Sequence, residues 1–199
     1  NSVLSHVSNL LLICISMIVP AQNIIDAVDL TSADALLPIY ESVVNSIISL
    51  KKIAANDKKI EVLIERGDLP SQPNLKGTKT IKSVTIIDNG EGFTEKNYKS
   101  FETPFSKINK KYGCKGIGRF TILASYENFH VKSTYYENEQ WFYREFNFCA
   151  EDEIKPIKLE ESQDRNRKTI VKMENCHNSI IKDHTAKTVE DITKGIMQH

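Results

Sequence analysis

Residues 81–93 read IKSVTIIDNGEGF. Ile81 to Ile87 is rich in β-branched residues and bounded by turn formers, which predicts a strand. It runs directly into Asp88-Asn89-Gly90-Glu91-Gly92-Phe93. Taken alone, Asn-Gly signals the tight turn of a hairpin. The competing reading uses the two glycines for close approach of backbone to a ligand. Asp88 then stands at the strand end, where a buried carboxylate can accept a hydrogen bond from an amine. The flanking sequence decides between the two.

Upstream, Thr31-Ser32-Ala33-Asp34 has the form of a capping box. The segment after it, Ala35 to Ala55, carries Leu, Ile and Val at helical spacing, with Ile39, Val43, Ile47 and Leu50 on one stripe. Pro38 is tolerated only in a first turn, so the helix starts close to it. Glu41 and Asn45 are four residues apart, project from one face and sit off the apolar stripe. A carboxylate there can accept a proton from an attacking water. An amide oxygen can coordinate a hard cation such as Mg²⁺. By itself E-x-x-x-N is equally a polar helix face. Lys59 to Glu65 alternates, with Ile60, Val62 and Ile64 on one side, and predicts a half-buried strand. Gly67 to Gly77, with two prolines and two glycines, is a loop.

Downstream, Thr94 to Gly113 is polar with isolated aromatics and predicts a short helix followed by a loop. Gly113-Cys-Lys115-Gly116-Ile117-Gly118-Arg119 then leads into a helical pattern at Ile117, Phe120, Thr121 and Ala124. Glycine-rich turns at helix N-termini present free N–H groups to phosphate. The Walker A spacing is absent. The motif follows a polar loop rather than a strand, which argues against a dinucleotide fold. Phe129–Tyr136 and Trp141–Phe148 read as strands joined by a turn at Glu137 to Gln140. Lys168–Met173 is a further strand and Thr185–Met197 a closing helix. Helices and strands mix without regular βαβ alternation, which predicts a layered α/β fold with a mostly antiparallel sheet.

These three motifs, in this order, resemble those of the Bergerat-fold ATPases: gyrase-type topoisomerases, the ninety-kilodalton heat-shock chaperone, MutL and the sensor histidine kinases. The resemblance spans about Ser32 to Phe120, with a weaker extension at Lys168-Thr169-Ile170. It implies a two-layer α/β sandwich, a mixed and mostly antiparallel sheet with helices on one face. It implies an ATP-binding domain over residues 31–199 with a lid near 94–118, and residues 1–30 as an apolar segment packing on it. ATP and Mg²⁺ are the implied ligands. Glu41 is the implied catalytic base and Asn45 the implied Mg²⁺ ligand. Asp88 is the implied acceptor for the adenine amine, with Gly90 and Gly92 beside the nucleotide. Lys115, Gly116, Ile117 and Gly118 fall where the family wraps the phosphates, and Thr169 where it reaches the adenine site. The family's glycine before that threonine is Lys168 here. Glu41 in place of a second Asn resembles the hydrolysing branch, and ALLPIYESVVNSI with KGIGRF resembles bacterial chaperone-like ATP-binding proteins. The resemblance implies slow hydrolysis, nucleotide-driven closure and homodimerisation of a full-length protein whose transducer domain is absent from this chain. A nucleotide-gated module without turnover and a histidine kinase catalytic domain are the alternatives.

Composition narrows the classes. The 199 residues are 40% hydrophobic, and 26 basic residues balance 26 acidic ones. A disordered tail has fewer apolar residues and more net charge. A histone-like nucleic-acid binder is strongly basic. The neutral total conceals a local excess: Thr94 to Arg119 holds seven basic and two acidic residues, and Glu151 to Asp164 six acids and two lysines. The basic stretch suits a polyanion. Nucleic acid is therefore a possible partner, although neither a zinc finger nor an RRM signature is present. The apolar run Leu10 to Val19 is too short to span a bilayer, so no membrane partner is expected. Four cysteines form no CxxC pair; this reads as a reduced, cytoplasmic protein. Cys176-His177 with His184 is the nearest approach to a metal-ligand cluster.

Overall fold

The computed structural model describes residues 21–71, 76–103, 106, 118–149 and 153–199. The chain is mixed α/β, built on a six-stranded sheet in which every neighbouring pair is antiparallel. The strands are β1 (Ile60–Arg66), β2 (Ile81–Asp88), β3 (Tyr126–Glu137), β4 (Gln140–Cys149), β5 (Glu153–Glu161) and β6 (Lys168–Cys176). Their order is β1-β2-β6-β3-β4-β5. The helices are α1 (Ala21–Asp26), α2 (Leu37–Lys51), α3 (Glu95–Glu102), α4 (Gly118–Leu123), α5 (Ser179–Lys182) and α6 (Val189–Gln198).

Period-2 alternation sorts the sheet's side chains. Val84 and Ile86 of β2, Phe129 and Val131 of β3, Phe146 and Phe148 of β4 and Met173 of β6 are buried in one core cluster. That cluster also takes Ile39 and Val43 of α2 and Phe120, Ile122 and Leu123 of α4. Each fully buried Ile or Phe contributes roughly 1.5–3 kcal/mol of transfer free energy. Alternate positions carry polar pairs instead, such as Ser83–Glu65 and Lys172–Glu174. Ile24 and Leu30, from the segment before residue 31, are buried in the same core. The apolar run Leu10 to Val19 lies outside the described residues.

Pro38 sits in the first turn of α2, as the sequence requires. The capping box at Thr31 starts a different element. The Asp34 carboxylate accepts from the Thr31 N–H at 2.9 Å and from its hydroxyl at 2.6 Å. These bonds close a short 3₁₀ turn over Ser32–Asp34, and α2 begins only at Leu37. The apolar stripe also differs from expectation. Ile47 is exposed, and Ser46 with Ile48 turns inward. From Ile39 and Val43, the inward positions one turn apart fall at residues 46 and 50, so residue 47 rotates outward.

The expected four-residue turn, Glu137 to Gln140, joins β3 to β4. Glu137 pairs with Gln140, leaving Asn138 and Glu139 at φ 49° and 65°. Two central residues with positive φ are the geometry of a type I′ hairpin. The closing helix starts later than Thr185. Thr188 caps α6 by accepting from the Asp191 N–H at 3.1 Å. Strand β5, within the acidic stretch, has no counterpart among the expected strands. Its Pro156 is admissible because β5 is an edge strand.

Candidate functional site

Asp88 ends β2 between two neighbours, opposite Ile60 of β1 and Thr169 of β6. The hairpin reading of Asn89-Gly90 does not hold, since the turn leads into α3 and β2 pairs with β1 and β6. Thr94 caps α3, its hydroxyl accepting from the Asn97 N–H at 3.3 Å. Asn89 fastens the turn sideways, donating to the Asp57 carbonyl and accepting from the Lys59 N–H, both at 2.8 Å.

Asp88 is 4% exposed. One carboxylate oxygen accepts from the Ser46 hydroxyl at 2.8 Å and the other from the Gly90 N–H at 2.9 Å. Burial raises its pKa above the ordinary carboxylate value, and these two bonds oppose the rise. Each carboxylate oxygen has a further lone pair for a ligand donor.

The two glycines of the turn have different uses. Gly92 has φ +79°, and a β-carbon there would lie 2.8 Å from Ser133 Oγ and 2.9 Å from Tyr135 Cβ. It lines a cleft bounded by α2, α3, α4 and the ends of β2 and β6. Gly90 does not line that cleft. A β-carbon at Gly90 would sit 2.7 Å from the Ser49 carbonyl carbon, so the glycine lets the turn close against α2. The Glu91 N–H donates to the Ser49 carbonyl at 3.2 Å in the same contact.

The cleft gathers Glu41, Asn45, Asp88, Gly92, Gly118 and Thr169. Asn45 is exposed and Glu41 half-buried on the same face of α2. A β-carbon at Gly118 would meet the Glu41 carboxylate, whose Cδ would be 3.1 Å away. Gly118 therefore makes room for the carboxylate at the start of α4. Lys115, Gly116 and Ile117 lie outside the described residues, as does most of the expected lid beyond α3.

Other lining residues escaped the sequence reading. Ser46, Ser49 and Lys52 continue the Glu41–Asn45 stripe of α2 into the cleft. For Ser49 and Lys52 the spacing, about one and two helical turns from Asn45, was the available signal. The Lys52 ammonium is 3.1 Å from the Glu91 carboxylate and 3.0 Å from the Asn97 amide oxygen. Asn97 donates in turn to Glu91 and to the Gly92 carbonyl, at 2.8 and 2.7 Å, which fixes the cleft's rim. Arg119 lies in the opposite wall, its guanidinium 4.4 Å from the Phe120 ring centre and 5.2 Å from that of Phe101.

Cys176 is buried, and its neighbour His177 places Nε2 3.1 Å from the Leu123 carbonyl. No group of three or more His, Cys, Asp or Glu residues suited to a metal occurs among the described residues. No helix among them is long and apolar enough to cross a membrane. No model of a known protein family matches the chain, and no curated protein matches it.

Proposed function

We propose that this cleft binds ATP with Mg²⁺ and hydrolyses it slowly, in a cytoplasmic module of Bergerat type. The fold in this reading is a two-layer α/β sandwich with the helices on one face of the sheet. One observation carries it. Glu41 with Asn45, Asp88 with Gly92, Gly118, and Thr169 come from four separate stretches of sequence, and all six line one cleft. A surface or turn role for each motif gives no reason for them to meet.

The donor set fits the ligand. Asp88 supplies a buried acceptor for an exocyclic amine, and Thr169 stands opposite it in the strand register. Gly92 lets the turn pack closely against Ser133 and Tyr135, next to Thr169. At the other end, Glu41 is placed to take a proton from an attacking water. Mg²⁺ keeps several waters and needs few protein ligands besides phosphate oxygens; a single exposed amide at Asn45 suits such an ion, which supplies charge neutralisation when bound.

Titration with a non-hydrolysable ATP analogue, with and without Mg²⁺, tests the reading. Binding that tightens on adding Mg²⁺, and loses that gain in Asn45→Ala, is the expected result. Equal affinity with and without Mg²⁺ for both proteins contradicts the role of Asn45. No binding to folded wild type contradicts the whole assignment.

A further inference from the structure

Ser133 is fully buried on β3, opposite Thr169 of β6. Its hydroxyl oxygen accepts from the Phe93 N–H at 3.0 Å. The same oxygen is 3.0 Å from Thr169 Oγ1. An amide N–H can only donate, so the Phe93 bond uses an acceptor site of Ser133. The serine proton needs an acceptor of its own, and a buried hydroxyl proton left without one is costly. Among the described contacts of Ser133 Oγ, Thr169 Oγ1 is the acceptor that remains. The direction of the shared bond follows: Ser133 donates and Thr169 accepts. The Thr169 proton is then turned away from Ser133. Thr169 is 4% exposed and lines the cleft, so the cleft is the side on which that proton can meet an acceptor.

We infer that Ser133 is a positioning residue that fixes Thr169 as a hydrogen-bond donor, and so sets which nucleobase edge the cleft accepts. The inference rests on the nucleotide reading and deepens it. Asp88, an acceptor, and Thr169, a donor, occupy paired positions on adjacent strands. Together they match an edge carrying an amine next to an unprotonated ring nitrogen, directly or through a bridging water. Adenine presents that edge at N6 and N1. Guanine presents a carbonyl and a protonated N1, and opposes both groups. Without Ser133 the Thr169 hydroxyl is free to rotate, and the preference at the ring nitrogen disappears while the acceptor at Asp88 stays.

The test compares ADP with 1-deaza-ADP, in which that ring nitrogen is a C–H, by calorimetry on wild type and Ser133→Ala. Wild type is expected to prefer ADP by roughly fivefold, the worth of one neutral hydrogen bond. Ser133→Ala is expected to bind the two within twofold of each other. Ser133→Cys keeps the bulk with only a weak donor, serves if the alanine variant does not fold, and is expected to lose the preference likewise. A folded variant that keeps the wild-type ratio overturns the role of Ser133 and leaves the ATP reading standing. A wild type that binds both ligands equally also overturns it. A wild type that binds neither overturns both readings.

Discussion

Replacing Asp88 with Asn separates binding from folding at the base of the cleft. The amide oxygen can keep the Gly90 N–H, now 2.9 Å from the carboxylate. The amide NH₂ then faces the Ser46 hydroxyl, which rotates from donating to accepting. The internal network therefore survives with one bond reversed. Towards the ligand, however, a charged acceptor has been lost. A hydrogen bond to an ionised group is worth about 1.5–3 kcal/mol, so ADP affinity should fall roughly 10- to 150-fold. Stability should move differently. Burial raises the Asp88 pKa above 3.8 in the folded chain. Between the unfolded and folded values the native state binds the extra proton. The stability that Asp88 contributes is thus fully present below the unfolded value and is lost as pH rises through the folded one. Asp88→Asn lacks this term, so its stability relative to wild type should rise with pH across that window. Calorimetry with ADP and urea melts at several pH values measure the two effects. A folded Asp88→Asn that binds ADP within twofold of wild type would refute the reasoning about the ligand. A relative stability that falls as pH rises through the window would refute the reasoning about burial.

Other perturbations address single contacts. Glu41→Ala should abolish ATP turnover while leaving affinity for a non-hydrolysable analogue within about threefold, since the carboxylate is assigned to proton transfer alone; unchanged turnover makes the cleft a gate. Gly118→Ala should retain the fold, because the atoms nearest its new methyl group are those of the Glu41 carboxylate, at the far end of a flexible side chain; the displaced carboxylate should slow turnover at least tenfold, and a wild-type rate contradicts the placement. Gly90→Ala should destabilise by about 1–3 kcal/mol in a urea melt, since its methyl group would press on the Ser49 backbone. Thr185→Val should cost about 1–3 kcal/mol, because the buried Ile81 N–H now donates to the Thr185 hydroxyl at 3.0 Å and would be left unsatisfied; an unchanged midpoint contradicts either estimate.

Local pattern carried most of the secondary structure. The strand at 81–88, the half-buried strand after Lys59, the helix after Pro38 and the β3–β4 hairpin follow from alternation, helical period and turn formers acting within a few residues. Edges were harder to read. Strand β5 is polar, with exposed Ile157 and Leu159, because an edge strand here has little core to face. Ile47 matched the apolar pattern and still turned outward, since a one-position shift in phase along a helix moves a side chain by about 100°. In the site, Glu41, Asn45, Asp88 and Gly92 were legible because each belongs to a short motif on one element. Ser133 was not: only the β3–β6 register sets it beside Thr169, and register joins residues 36 positions apart. Gly90 was legible as a close-approach glycine, although what approaches it is α2.

The central claim is an adenine-specific nucleotide site, and parallel calorimetric titrations of the wild-type chain with ADP and GDP test it most directly. Saturable one-to-one binding of ADP, with GDP at least tenfold weaker, is the result expected from an acceptor at Asp88 beside a donor at Thr169. No heat of binding for ADP with a folded chain, or equal affinity for the two nucleotides, would contradict it.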